Sequence, residues 1–273
     1  MPPYLDFIGP AYTARSINVS ADRAINIYPE IQEAKGAKVR VAYYGTPGLR
    51  RVFTLPGVGP VRALHTSSDS RAWVIQGSGF YEFFADGSAR LRGSLLTDSG
   101  PVSLADNGVQ LVLVDGPYGY QVPLAGGALA VIEDENFYGA DRVEFLDGYL
   151  VFNKPGTGVF YLSPLYAVTP FDGLLFGVAE SSPDRLVGHL VNHGNLWLGG
   201  ASTMEIWYNA GGADFPLARL DGGVLETGLA AAHSWAKGGE AVFWLGQDAR
   251  GAGTVWTAQG YQPKRISTHA IDH

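Results

Sequence analysis

The sequence predicts an all-β protein: a β-propeller with about five visible four-stranded blades. A short apolar strand pattern recurs five times, with starts about 38 to 47 residues apart, the spacing of propeller blades. The 273 residues include 37 glycines and 16 prolines, which suits many short strands joined by tight turns. No segment shows the periodicity of an amphipathic helix of three turns. A two-sheet sandwich is the alternative, but it does not explain a four-strand repeat.

The five recurring runs are the predicted central strands of the blades. They are apolar on both faces, as expected when each blade packs between two others. The runs cover residues 71–75, 110–114, 148–152, 195–198 and 240–245.

Each central strand has the same predicted neighbours. First strands precede the central ones at 61–67, 102–106, 143–146, 186–191 and 229–235. Third strands follow at 80–84, 119–124, 159–162, 204–208 and 254–257. Fourth strands close the units at 89–95, 129–132, 175–178, 216–220 and 264–267. The third and fourth strands alternate more between polar and apolar residues, which is typical of strands near the rim.

The two ends of the chain depart from the repeat. We therefore expect an N-terminal extension over residues 1–60, whose strands can complete a terminal blade, and propeller blades over 61–273. The extension contains strand-like pieces at 40–44 and 49–55 but no complete unit. Propellers avoid open sheet edges by letting the first strands complete the last blade. Either residues 38–55 close a five-bladed ring, or the chain is a fragment of a larger propeller.

Charge and composition exclude several classes of function. The net charge of −7 argues against tight nucleic-acid binding, which needs a cationic surface. The chain has no cysteine, so disulfides, thiolate metal sites and cysteine nucleophiles are impossible. The N-terminus lacks the pattern of a signal peptide, and no apolar run approaches the length of a membrane helix. We expect a protein made in a cytoplasm, without membrane contact.

Motifs for nucleophilic or phosphate chemistry are weak or missing. There is no G-x-x-x-x-G-K-[ST] loop for phosphate. Residues 199–203 resemble a nucleophile elbow around Ser202, but Met204 stands where the motif requires glycine, and the context is a hairpin. An ordinary turn is the better interpretation.

Histidines form one candidate group. His189 and His193 are four apart, a spacing that on a strand separates them by roughly 13 Å and prevents them from sharing a metal. His65, His189 and His233 occupy similar places in the predicted first strands, so we expect them to point toward the central channel or its mouth. Isolated polar residues at the channel wall are the simpler interpretation.

Carboxylates form a second group. The triplet Glu133, Asp134 and Glu135 lacks the ligand spacing of a calcium loop and fits a solvated loop. Asp115 can be paired with Asp172 or Glu205 for glycoside hydrolysis, but the sequence does not place them at a working distance. We therefore predict no enzyme activity, no catalytic, metal or cofactor-binding residues, and no cofactor.

The tryptophans and tyrosines are the candidates for packing and partner contact. Most of the six tryptophans lie inside predicted strands, so we expect them to pack between blades. Trp207 with Tyr208, and Tyr118 with Tyr120, are the more exposed candidates.

Two stretches of the chain resemble a known family. The first comprises residues 16–18, 21–23, 26–30 and 45–49. The second comprises residues 199–207, 215–216, 222–228 and 265–271. The residues of these segments, and the order in which the segments occur, resemble those of the packaged-DNA stabilisation proteins of short-tailed bacteriophages, also called tail hub or tail accessory factor proteins.

The resemblance implies a structural protein of the virion tail, made in the cytoplasm of the bacterial host. Family members are β-propellers that form a ring of six below the portal–adaptor complex, bind the tail needle or plug, and help close the channel on the packaged genome. Family chains continue past the point where this one stops, which favours the interpretation of this chain as a fragment of a larger propeller.

The regions outside the repeated strands are the expected contact surfaces. They are residues 1–35, 163–174 and 209–215. A carbohydrate-binding or carbohydrate-acting propeller is the alternative function. Aromatic platforms with paired carboxylates in a central pocket would favour that alternative.

Overall fold

The structure is a computed structural model that describes residues 25–31, 41–51, 54–180, 184–247 and 253–267. These residues form two compact units. One contains the described residues up to 51 together with Ser267, and the other contains residues 54–266. The predicted boundary at residue 60 stays a prediction.

The first unit contains a two-stranded antiparallel hairpin. Strand β1 (Ile27–Ile31) pairs with β2 (Val41–Gly45), and the rings of Tyr28 and Tyr44 contact each other in a tilted arrangement with centroids 5.9 Å apart. The predicted strand at 40–44 is therefore present, but its partner is β1 and not a blade. Residues 49–51, 54 and 55 are not in a strand, so the described part of the predicted strand at 49–55 is wrong. The alternative in which residues 38–55 close a five-bladed ring stays a prediction.

The second unit contains five four-stranded antiparallel sheets, which we number as blades 1 to 5 in chain order. Blade 1 is β3 (Val61–Thr66), β4 (Ala72–Gln76), β5 (Gly79–Phe83) and β6 (Ala89–Ser94). Blade 2 is β7 (Ser103–Asp106), β8 (Gln110–Val114), β9 (Gly119–Pro123) and β10 (Ala130–Val131). Blade 3 is β11 (Val143–Leu146), β12 (Tyr149–Asn153), β13 (Val159–Leu162) and β14 (Phe176–Val178). Blade 4 is β15 (Leu186–Asn192), β16 (Asn195–Gly200), β17 (Met204–Asn209) and β18 (Leu217–Leu225). Blade 5 is β19 (Ala236–Gly238), β20 (Ala241–Gln247), β21 (Gly253–Gln259) and β22 (Gln262–Arg265).

Each sheet follows chain order, so every strand pairs with the next one through a hairpin or short connection. The first strands of blades 1 to 4 also contact one another in succession, as the inner strands of a propeller do. The described residues contain no α-helix. The predicted all-β propeller with five visible blades is confirmed.

The central strands are apolar on both faces because each inner blade contributes to two cores. In β8, Leu111 and Leu113 pack toward blade 1, while Val112 and Val114 pack toward blade 3. The same alternation continues through β12 and β16. Four clusters of buried side chains therefore join the five blades, and among the described residues no such cluster joins blade 5 to blade 1.

One predicted strand is wrong. Residues 229–235 were expected to be the first strand of blade 5, but that strand is β19, and 229–235 form a loop. Leu229 and Trp235 are buried in the core between blades 4 and 5, and Ser234 closes a turn on the carbonyl of Ala231. The apolar residues in this segment therefore fill a core from a loop and do not extend a sheet.

Candidate functional site

Of the three histidines expected in first strands, His65 lies in β3 and His189 in β15, whereas His233 lies in the loop before β19. His189 is fully buried, and its Nε2 lies 3.0 Å from the carbonyl oxygen of Val151 in blade 3. Because a carbonyl oxygen only accepts, Nε2 carries the proton and donates it. His65 lies instead 3.5 Å from Asp106 of blade 2. The expectation that His189 points into the channel is wrong, since it is held inside the packing between blades 3 and 4.

Charged residues gather beside His189. Arg142 Nη2 lies 2.7 Å from Glu144 Oε1, and Lys237 Nζ lies 3.4 Å from Glu144 Oε2. Burial lowers the pKa of His189 to about 4, and the charge of Arg142 acts in the same direction. Partial burial, together with Arg142, also lowers the pKa of His233. This cluster ties the first strands of blades 3 and 5 to each other.

The segment that resembles a nucleophile elbow is a hairpin turn between β16 and β17. The backbone N–H of Ser202 donates to Asp184 Oδ2 at 2.6 Å, and the N–H of Gly200 donates to Thr203 O at 2.8 Å. No base is in contact with the Ser202 hydroxyl among the described residues. The interpretation as an ordinary turn agrees with this geometry.

Each candidate carboxylate is used by local structure. Asp115 accepts from the hydroxyl of Tyr120 at 3.1 Å, and Asp172 accepts from the N–H of Leu174 at 2.9 Å. Glu205 is buried, and its Oε2 accepts from Trp207 Nε1 at 2.8 Å. These carboxylates lie in blade 2, in the 163–174 segment and in blade 4, each with its own neighbours.

The acidic triplet is also structural in part. Asp134 accepts from the N–H of Asn136 at 2.9 Å and from the N–H of Phe171 at 3.0 Å. It therefore connects its loop to the 163–174 segment. Within the described ranges, no group of three or more His, Asp or Glu residues is arranged to hold a metal ion.

Some of the aromatic residues are buried between blades, and others are exposed. Trp73, Trp197, Trp235 and Trp244 are buried between blades, as expected. Of the four residues that we expected to be exposed, Tyr118 and Tyr208 are exposed. Tyr120 is buried, and Trp207 packs on Phe160 with ring centroids 5.2 Å apart.

The three predicted contact segments differ in how far their side chains are exposed. In 163–174, Val168 and Phe171 are buried between blades 2 and 3, while Leu165, Tyr166 and Leu174 are exposed. In 209–215, Phe215 packs on Phe160, and the turn before it is exposed. Of residues 1–35, only 25–31 are described, and Ile25, Ile27 and Tyr28 are exposed there.

A pocket that we did not predict lies where three hairpin turns of blades 4 and 5 meet. Its volume is about 210 Å³. Trp197 and Tyr261 contribute aromatic rings with centroids 6.0 Å apart, and Glu240 contributes a carboxylate. The sequence signal that marks it is a polar turn at 192–195 and a tyrosine directly after a turn glycine at 260.

Comparison with known proteins decides the family. A family model described as bacteriophage P22 Gp10, β-propeller, matches residues 9–273. The chain belongs to this family. The resemblance seen in the sequence is therefore confirmed. The family is one of phage structural proteins that stabilise packaged DNA, which supports a structural role for this chain in a phage.

Several solved structures are similar to this chain, and the fold agreement rests on the first of them. Virginiamycin B lyase from Staphylococcus aureus has a TM-score of 0.53 at 13% identity, over 90% of this chain and 80% of that one. A chain of the mitotic checkpoint complex has a TM-score of 0.48 at 11% identity, over 76% and 65%. PorZ from Porphyromonas gingivalis has a TM-score of 0.38 at 11% identity, over 76% and 33%. No curated protein matches this chain.

At such low identity the lyase shares the fold alone, and its activity is not carried over to this member of the P22 Gp10 family. The family is one of virion structural proteins. None of the described residues forms a helix long and apolar enough to span a membrane.

Proposed function

We propose that the chain is a tail hub, or tail accessory factor, of a short-tailed phage. In this role it binds below the portal–adaptor ring and contacts the needle or plug. It helps close the DNA channel and so retains the packaged genome. The observation that carries the proposal is the family match over residues 9–273. We further propose that it acts without catalysis or cofactor, in the virion tail, as a ring of six copies.

The charge of the protein supports a role beside DNA without tight binding to it. The net charge of −7 repels phosphate at long range. In the ionic cluster of blades 3 and 5, Glu144 forms an ion pair with Arg142 and a second one with Lys237. These two cations are therefore engaged within the fold, which leaves them poorly suited to phosphate contact.

Exposed apolar side chains outside the repeated strands support a role in assembly. Leu165 and Leu174 are 54% and 78% exposed in the 163–174 segment, and Tyr28 and Tyr44 are exposed on the β1–β2 hairpin. Apolar side chains grouped at a surface mark protein contacts. A cyclic ring needs two different patches on each copy, so we propose these two regions as contact surfaces.

The decisive experiment is reconstitution with the cognate portal–adaptor complex. We expect the isolated protein to be a monomer that adds to the complex in sedimentation and native mass spectrometry, and to show little affinity for free DNA. Binding to DNA or to a glycan, with no association with the complex, would reject the tail-hub role in favour of another one, such as a carbohydrate-binding propeller.

A double variant and a control variant test the 163–174 surface. Leu165→Ser with Leu174→Ser should weaken association with the complex about tenfold or more, since each substitution removes apolar surface from the contact. Val109→Ser is the control, because Val109 is 55% exposed, close to the value for Leu165, but lies in a tight turn of blade 2. Equal behaviour of the two variants would contradict the assignment of this surface.

A further inference from the structure

The pocket between blades 4 and 5 is formed by three two-residue hairpin turns. Each turn is closed by a strand pair, namely Asn192 with Asn195, Gly238 with Ala241, and Gln259 with Gln262. Each turn also contains a glycine in the left-handed region, with φ between +59° and +73° at Gly194, Gly239 and Gly260. Short turns of this kind have little conformational freedom. The pocket walls are therefore preformed.

The pocket contains one carboxylate that forms no ion pair with the residues that the structure describes. Glu240 is its carboxylate, and neither lysine nor arginine lines it. No cation in the described part of the chain lies within 4 Å of the Glu240 carboxylate. A cationic ligand could therefore pair with the exposed carboxylate of Glu240.

Apart from Gly260 and the exposed imidazole of His193, the remaining lining groups suit a ligand made of hydrogen-bond donors. Asn192 and Asn195 each carry an amide oxygen that can accept, and the Asn195 amide is oriented by its own bond to the carbonyl of His193 at 3.1 Å. Tyr261 is 39% exposed and offers a ring on which a planar cation can stack. Trp197 supports the ring of Tyr261 from the core.

The size of the pocket limits the ligand. Small-molecule sites usually have volumes of about 300–1,000 Å³, and this open pocket has a volume of about 210 Å³. It therefore fits one side chain better than a whole metabolite.

We propose that this pocket binds a guanidinium group, presented by an arginine side chain of a neighbouring protein. A guanidinium has five N–H donors, a planar face and a permanent positive charge. These match the acceptors, the ring of Tyr261 and the carboxylate of Glu240. The source of the arginine rests on the proposed tail-hub function, whereas the chemistry of the pocket does not. A sugar ring is the competing ligand, but it leaves the carboxylate without a counter-charge.

The first experiment titrates the whole protein with N-acetyl-arginine methylamide, followed by NMR of the Trp197 indole and Tyr261 ring signals. We expect saturable shifts with the arginine compound. N-acetyl-citrulline methylamide has the same shape without the charge, and it should produce none. Saturable shifts with methyl glucoside, or with citrulline as strongly as with arginine, would overturn the proposal.

Two variants make the assignment specific. Glu240→Gln should weaken binding of the arginine compound about fivefold or more, the usual effect of losing one exposed charge partner together with its hydrogen bond. Glu133→Gln removes the same charge from an exposed loop elsewhere and should leave the affinity unchanged. Equal affinities of the two variants would refute the role of Glu240.

The last arm tests the source of the guanidinium. Glu240→Gln should weaken association with the portal–adaptor complex or with the needle protein, while Glu133→Gln should not. Normal assembly of Glu240→Gln with both partners would overturn the protein source and leave the tail-hub function intact. Failure of the wild-type protein to assemble would instead count against the tail-hub function, with the arginine titration still deciding the chemistry.

Discussion

Gly228 tests how closely the chain packs where it passes from blade 4 to blade 5. A Cβ added there would lie 2.0 Å from the carbonyl oxygen of Ala201 and 2.3 Å from its carbonyl carbon. Contacts below 3.0 Å essentially never occur, so Gly228→Ala requires a shift of at least about 1 Å between two backbone segments. The Ser202–Asp184 and Leu229–Gly200 hydrogen bonds hold these segments in place.

We expect Gly228→Ala to cost about 3 kcal/mol or more. Overpacking costs about 1–3 kcal/mol even where side chains adjust, and loss of the Leu229–Gly200 hydrogen bond adds about 1 kcal/mol. The matched control is Gly211→Ala, where φ is +67° and no atom lies within 4 Å of the new Cβ. Its cost should be about 1 kcal/mol, from the left-handed backbone alone.

Urea unfolding followed by tryptophan fluorescence measures both variants, because Trp235 and Trp244 lie in the same core as Leu229, the residue after Gly228, and report the loss of that core. A lower midpoint with an unchanged slope is the expected result. If the two variants lost the same free energy of unfolding, or if Gly228→Ala lost less than about 1 kcal/mol, the steric reasoning would be refuted.

Two further predictions concern single side chains. Arg62 uses its guanidinium for five hydrogen bonds, to Gly77, Thr97, Ser99 and Gly100. Arg62→Lys should therefore lower the free energy of unfolding by about 2 kcal/mol in thermal unfolding, because the lysine ammonium cannot replace the planar set of guanidinium N–H donors. The control is Arg90→Lys at an exposed strand position, which should change this free energy very little. His189 has a folded-state pKa of about 4 against an ordinary value of 6.5, so the folded state binds the proton less readily than the unfolded state. Stability should be full above pH 6.5 and fall by on the order of 3 kcal/mol as the pH drops toward 4. His189→Gln should flatten this part of the stability profile and exposed His193→Gln should not; an unchanged profile for His189→Gln would assign the acid sensitivity to other groups.

The blade repeat could be predicted because its signals are local. The central strand at 110–114 and the strands at 143–146 and 159–162 have the same bounds in the structure as in the sequence prediction. Apolar runs of five residues that end at glycine turns specify a hairpin wherever they occur. The same runs also predicted, correctly, that inner blades bury both faces.

The sequence alone also indicated the family, through the order and residues of short segments at 16–49 and at 199–271. The sequence did not predict the pocket around Glu240. Residues that are distant in sequence meet only when blades stack, as when Lys237 reaches Glu144 across 93 positions. The pocket around Glu240 needs three turns from two blades, and no one of these turns is distinctive by itself.

Tertiary structure decided the role of individual apolar and polar residues. Leu229 and Trp235 have the pattern of a strand, but the core between blades 4 and 5 draws them in from a loop. His189 has the position of a channel residue, but a carbonyl of blade 3 lies within 3.0 Å and holds it inside the packing. Periodicity and turn chemistry determine which segments become strands, because those forces act over a few residues. Which face a side chain meets, and what it finds there, depends on how neighbouring blades stack, and that is set by contacts across the whole chain.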